Sequence, residues 1–250
     1  GITLPHLAAG TRSFDISMPK EINRLVIDGL SDLLFTAGIS NNSIANREGA
    51  ELSKVYMVGN ILIDNIRNNR ARFVRPQILS QLGIADGSYI VFTLNRKALM
   101  AATDNLRLML QALIQAAGNT PIIAPLHDRA QKAIGPLLPA DHAGLHIVSP
   151  LGYLEFSYLA SHARGIVTDS GNVAEEATFN QVPCITLNSY TEHIETVKVG
   201  TNVLVGEDAT LLGQATSDMV AGRWKQSAIP DRWDGRSAER ILQTLLDRQH

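Results

Sequence analysis

The chain has one cysteine, Cys184, in 250 residues, so an intramolecular disulfide and a cysteine-rich zinc site are both excluded, and a reducing, cytoplasmic setting is expected. Aromatic residues are scarce at 5%. Charge of one sign is also missing: the formal net charge is −2 and no run of five or more like charges occurs, which removes the electrostatic footprint that nucleic acid or an anionic membrane would need. No apolar stretch approaches the roughly 18–20 residues that span a bilayer, and no basic segment followed by an apolar one opens the chain. Small or polar partners remain.

What is present is an apolar share of 45%, enough to bury a substantial core as two lobes or one large domain. Short apolar runs alternate with segments of helical period, the pattern of βαβ units around a parallel sheet and hence of the α/β class. Strands are expected at Val55–Val58, Tyr89–Leu94, Pro121–Pro125, Leu145–Val148, Gly165–Thr168 and Cys184–Leu187, with helices at 19–33, 60–69, 101–117, 128–135, 153–162, 173–180, 209–221 and 236–248. The polar stretch RNNRARFVRP, ending at Pro76, and the following LGIADGS loop mark a lobe boundary within 68–86. Only two or three strands precede it, so the first lobe reads as cut off at its start.

The strongest local signal is RGIVTDSGNVAEEAT, residues 164–178. A β-branched strand ends in Asp169-Ser170-Gly171-Asn172, and a helix follows at once. At the carboxyl end of a parallel strand, a helix N-terminus offers free N–H groups and a positive dipole end to an anion. Ser170 adds a hydroxyl and Gly171 leaves room for phosphate. Glu175 and Glu176 are expected in the first helical turn, suited to the dipole or to accepting from a ribose diol. Plain helix capping explains the same residues, and pattern alone leaves both readings open.

Read on as DSGNVAEEATFNQVPCITLNSYTEHIETVKVGTNVLVG, the segment resembles the non-hydrolysing UDP-N-acetylglucosamine 2-epimerases, whose pattern is close to DSGGxxEEAxxxGxPxxxxRxxTERPExxxxGTNxLVG. HLAAGTRSFDISMPKEINRLVIDGLSDLLF is similar to the family's HVEAGxRS…MPEEINRxxxDxLSDLLF, and VYMVGNILID to its VGNxxxD. The resemblance implies a GT-B-like pair of Rossmann-like lobes with parallel sheets, the first incomplete here. It places the remaining first lobe at 1–70, a UDP-binding lobe at 71–235 and, at 236–250, a helix returning to the first lobe. It also implies that the missing strands lie before Gly1.

The chemistry implied needs no metal or other cofactor: C2 of UDP-GlcNAc loses its proton, UDP leaves, and UDP returns after reprotonation on the other face to give UDP-ManNAc. Ser170 and Gly171 match the family's diphosphate contacts, Glu176 its ribose carboxylate, Tyr153 and Phe156 the segment that packs on uracil, and His127 a histidine following a buried strand. Without the resemblance, Tyr153 and Phe156 read as core at i, i+3 spacing, and His127 as a surface or structural histidine.

Three proton-transfer positions of the family are replaced together, by Ala8, Lys20 and Asn95. The remaining candidates are Glu21, Asp15, His6 and Arg96, although Glu21 also suits the first turn of a helix simply as a capping carboxylate. Asn172, Ala174, Asn188 and His193-Ile194 are further departures, at positions of phosphate or substrate contact. The implied functions are therefore an epimerase or close relative, a noncatalytic nucleotide-sugar-binding homologue in surface-polysaccharide synthesis, or a glycosyltransferase of the same fold. Family members are commonly homodimers, and the apolar positions Ile22, Leu25, Val26, Leu30 and Leu33 offer a face for such a contact or for the core.

Overall fold

The protein is described by a computed structural model covering residues 2–248. In chain order the elements are β1 (Pro5–Ala9), α1 (Pro19–Leu30), β2 (Leu33–Thr36), α2 (Ile39–Arg47), β3 (Val55–Met57), α3 (Ile61–Asn69), α4 (Gln77–Gln81), β4 (Ile90–Phe92), α5 (Lys97–Ala101), α6 (Thr103–Ala117), β5 (Ile122–Pro125), α7 (Asp128–Ile134), β6 (Leu145–Val148), α8 (Tyr153–Ser161), β7 (Gly165–Thr168), α9 (Gly171–Asn180), β8 (Cys184–Thr186), α10 (Glu195–Lys198), β9 (Asn202–Leu204), α11 (Ala209–Val220) and α12 (Ser237–Asp247). They form two compact units. Among the described residues the first takes 2–71, 191–199 and 229–248, and the second takes 72–190 and 200–228. Segments 191–199 and 229–235, which the sequence reading kept in the second lobe, thus group with the first.

The second unit is a six-stranded parallel sheet in the order β6-β5-β4-β7-β8-β9. Its strands are apolar at nearly every position because both faces are covered, and alternate residues divide between two cores. Ile90, Phe92, Ile122, Ala124, Val167 and Ile185 join one with Leu106, Leu110, Leu113 and Leu212 from α6 and α11. Tyr89, Val91, Ile123, Ile166 and Cys184 join the other with Leu159, Ala174 and Ala177 from α8 and α9. Gly165 has no room for a side chain: a Cβ there would lie 2.0 Å from the Met219 sulfur of α11. Two halves wind outward from β4 and β7, so the strand order reverses between them, and the crevice outside their carboxyl ends is where such sheets bind ligands.

The first unit is a three-stranded parallel sheet, β1-β2-β3. Leu33, Phe35 and Val58 pack with Ile241 of α12 on one face, and Ala9, Leu34 and Ala45 gather on the other. β1 carries a register shift between Leu7 and Ala9, and Ala8 between them takes a left-handed φ of 63°.

Two expectations are corrected. The helix expected over 19–33 stops at Leu30, with the Ser31 hydroxyl donating to the Ile27 carbonyl (2.7 Å); Leu33, expected on its apolar face, is fully buried in β2. The helix expected from 173 begins at Gly171, which puts Glu175 and Glu176 beyond its first turn, buried rather than complementing the helix end. The helices α2, α4, α5 and α10 and the strands β1, β2 and β9 were not specified in advance; α2 is polar along much of its length, and its N-terminus is held by Glu195, whose Oε1 accepts from the Ser40 N–H (2.9 Å) and hydroxyl (2.5 Å).

Candidate functional site

The carboxyl ends of β4 and β7 are joined by side chains. Thr93 and Thr168 hydroxyls meet at 2.7 Å, and the Ser170 N–H donates to Thr168 Oγ1 (3.0 Å). Asp169 Oδ2 accepts the main-chain N–H groups of Asn95 (2.8 Å) and Arg96 (2.6 Å), fastening the turn after β4 to the turn after β7. Ser170 is the N-cap of α9, with no side-chain capping bond. The Ala174 N–H is bonded to the Ser170 carbonyl at 3.3 Å, so the N–H groups of Gly171, Asn172 and Val173 have no intrahelical acceptor. Gly171 is exposed, and a Cβ on it would meet nothing within 4 Å. A helix N-terminus thus opens at the switch point with its hydroxyl and N–H donors available to an anion.

Further along α9, Glu176 is buried at 8% exposure beside the equally buried Glu175. Burial first, and then the charge of Glu175, push the Glu176 carboxyl up to about 7. A carboxyl kept half protonated near neutrality, with a like charge beside it, gains from any ligand that brings hydroxyl donors.

The other candidates in this unit surround the same edge. His127 is the exposed N-cap of α7 and lines a cavity of about 510 Å³ with Leu94, Asn95, Met100, Asp128, Arg129, Ala130 and Pro150. Asn95 belongs both to that cavity and to the turn held by Asp169. Tyr153 and Phe156 separate: Tyr153 is 41% exposed at the start of α8, while Phe156 packs against the core that contains Leu159 and Ala174. Arg96 is committed to its own unit, with Nη1 donating to the Leu187 carbonyl (3.0 Å) and Asn188 Oδ1 (2.6 Å) and Nη2 3.3 Å from Glu207.

In the first unit, Glu21 is almost fully buried and accepts from the Ser13 N–H and hydroxyl (both 2.9 Å) and the Phe14 N–H (3.0 Å). Burial opposes its charge, but these bonds and the nearby Arg12 outweigh burial and hold its pKa below the usual range. Its lone pairs order a loop in which Phe14 adopts a φ of 59°. Asp15 is exposed, and its Oδ1 accepts from the Ser17 N–H (3.0 Å) and hydroxyl (2.6 Å), which lowers its pKa. Ser13 ties Glu21 to this turn, its hydroxyl donating to Glu21 and accepting from the Asp15 N–H (3.4 Å), and both carboxylates already have hydrogen-bond donors. His6 Nδ1 lies 2.5 Å from Asp28 Oδ1, and the other Asp28 oxygen accepts from Gly10 and Arg12.

Lys20 Nζ reaches Glu192 Oε1 at 2.6 Å, and Arg24 grips both oxygens of the same carboxylate at 2.9 and 2.7 Å. Against the cost of burial, these bonds hold Glu192 down to about 2. Sequence reasoning missed this clamp, because 172 residues separate Lys20 from Glu192. It missed the Asp169 latch as well: only the DSG turn itself was visible, and nothing local announces Asn95 and Arg96 as its partners.

The model of the UDP-N-acetylglucosamine 2-epimerase family matches residues 1–246. A UDP-N-acetylglucosamine 2-epimerase homolog of Methanococcus maripaludis is 37% identical over 83% of this chain and 59% of its own, so the chain spans about three fifths of that relative. The UDP-N-acetylglucosamine 2-epimerase of Methanocaldococcus jannaschii is 34% identical over 98% of this chain and 69% of its own. Its crystal structure in complex with UDP-GlcNAc and UDP superposes with a TM-score of 0.79, at 33% identity over 97% of this chain and 69% of that one. The Neisseria meningitidis UDP-GlcNAc 2-epimerase bound to UDP-GlcNAc gives 0.84 at 25% identity, over 98% and 70% of the two chains. With the sequence matched almost end to end and the fold shared, this chain belongs to the UDP-N-acetylglucosamine 2-epimerase family.

Proposed function

We propose that the chain binds a UDP-linked N-acetylhexosamine through its second unit, in a protein that interconverts UDP-GlcNAc and UDP-ManNAc by eliminating and re-adding UDP. The observation that carries the reading is the opening at Ser170 and Gly171 with buried Glu176 on the same helix, in a family that includes solved structures with UDP-GlcNAc bound. In this reading the N-terminus of α9 and the Ser170 hydroxyl take the diphosphate, and Glu176 takes the ribose diol. His127 and Tyr153 stand along the same carboxyl edge as further nucleotide contacts, whereas the packing of Phe156 favours a supporting role. As the C1–O bond to UDP breaks and the C2 proton departs, charge grows on the leaving diphosphate. Fixed donors there stabilise it without reorganising.

A second reading, a noncatalytic nucleotide-sugar-binding homologue, is favoured by the three replaced positions. Ala8 and Asn95 exchange no protons near neutrality, and Lys20 is tied to Glu192. Glu21, Asp15 and Arg96 remain the titratable or cationic groups proposed for catalysis, although each is engaged as described. Incubation with UDP-GlcNAc in deuterated water separates the readings: deuterium at C2 with formation of UDP-ManNAc supports the epimerase, and saturable binding without deuterium uptake supports the binding module. Absence of UDP binding defeats both.

We also propose a cytoplasmic homodimer. α1 supports the dimer, since Ile22, Leu25, Val26, Ile27 and Leu30 are all exposed and the buried residue of the helix is Glu21. Light scattering of the chain and of Val26→Glu with Leu30→Glu tests it; unchanged mass between the two removes α1 as the interface.

A further inference from the structure

The rim of the nucleotide seat is laced across four neighbouring strands. Asp169 Oδ2 takes the Asn95 and Arg96 N–H groups, the Asn188 amide donates to the Asp169 carbonyl (3.3 Å), and the Gly206 N–H donates to the Asn188 carbonyl (3.1 Å). The Arg96 guanidinium, anchored by its own main chain to Asp169, then reaches Asn188 Oδ1 at 2.6 Å. Asp169 is 6% exposed, yet its second oxygen, Oδ1, is buried without a hydrogen-bond partner among the described residues. A half-satisfied carboxylate immediately before an anion-binding helix start is costly twice over, in desolvation and in charge, and capping does not require it, because Ser170 occupies the N-cap.

We propose that Asp169 is a positioning residue of the diphosphate seat, fastening the Asn95–Arg96 turn of β4 to the N-terminus of α9 so that the anion meets donors already fixed in place. This rests on the reading of that turn as a UDP site. The role belongs to the hydrogen-bond acceptor and not to the charge: an amide oxygen at the same place can accept both N–H groups, and loss of the negative charge beside a diphosphate costs nothing.

Titration calorimetry with UDP, with thermal melting alongside, tests the role in Asp169→Ala and Asp169→Asn. Asp169→Ala is expected to bind UDP at least about tenfold more weakly, the worth of a pair of charge-assisted bonds, while Asp169→Asn binds within about threefold of wild type or more tightly. Asp169→Ala within twofold of wild type overturns the proposal, and so does Asp169→Asn as weak as Asp169→Ala. If Asp169→Ala does not fold, Asn188→Ala is read instead: it removes the amide bond to the Asp169 carbonyl and one of the acceptors of the Arg96 guanidinium, a loss of about threefold or more is expected, and unchanged affinity overturns the lacing. A wild-type chain that does not bind UDP defeats the seat and this role together, whereas wild-type binding that survives Asp169→Ala defeats the latch alone.

Discussion

Glu21 in the first unit and Glu176 in the second are both screened from solvent, and their surroundings are opposite. Glu21 has two main-chain N–H groups and a hydroxyl on its oxygens and stays ionised. Glu176 has burial and a neighbouring carboxylate, and its pKa rises to about 7. The difference separates an acceptor spent on the fold from one proposed to meet a ligand. The same contrast runs through the two units. In the first unit, around Ala8 and Lys20, the local charges are closed into pairs such as Lys20 and Arg24 on Glu192. Where the nucleotide is proposed to sit, donors and a carboxyl remain open.

The largest expected effect is at the closed end. Glu21→Ala leaves the part-buried N–H groups of Ser13 and Phe14 without their acceptor and is expected to cost about 3–4 kcal/mol in chemical denaturation of the first unit. Since the folded pKa of Glu21 is depressed, its contribution is present above the ordinary glutamate range and is lost as pH falls through the lower folded value. A loss under about 1 kcal/mol would break the contrast, because Glu21 would then not be spent on the fold.

Glu176→Gln should act in the reverse direction. A raised folded pKa means the folded state holds a proton that the unfolded chain has released, so stability falls as pH rises from about 4.5 to about 7 and levels off above. Removing the group should stabilise the second unit at pH 8 by up to about 3 kcal/mol while weakening UDP binding. A destabilised variant would show that Glu176 has fold partners after all. Glu192→Gln is the smaller companion: it strands Lys20 and Arg24 and is expected to cost about 1–2 kcal/mol above pH 5, with the difference vanishing as pH falls towards about 2, where the wild-type carboxylate itself protonates.

The open end, the Asp169 latch apart, was legible in the sequence because most of its chemistry is local. A buried parallel strand writes itself as a continuous apolar run, and Thr168 to Glu176 carries strand end, turn, helix start and carboxyl within nine consecutive positions. The expected strand cores at 90–92, 122–125, 145–148, 165–168 and 184–186 appear for the same reason. The closed end was not legible because it is built from distant pairs. α2 owes its start to Glu195, 155 residues from Ser40, and its polar sequence gives no periodic face to read. α1 was overrun into β2 because Leu33 continues the helical spacing of Ile22, Val26 and Leu30; pairing with β1 and β3 decides the matter, and spacing carries no word of it.

Proton linkage at Glu176 sharpens the comparison most finely. If its carboxylate accepts from a ribose diol, bound UDP favours the ionised form and lowers a pKa that burial and Glu175 had raised to about 7. Below that value, binding must first release a proton, so UDP affinity should rise with pH and then level off above about 7.5, with pH 8 stronger than pH 6 by about three- to tenfold. Phosphate ionisation of UDP contributes to the same window, so the measurement is a difference: wild type against Glu176→Gln, by calorimetry in buffers of unlike ionisation enthalpy. The variant should lose the part of the slope that belongs to the protein and the matching proton release. Equal slopes in the two chains would mean that Glu176 does not sense the nucleotide, and its raised pKa would then be a cost of packing two carboxylates side by side on α9.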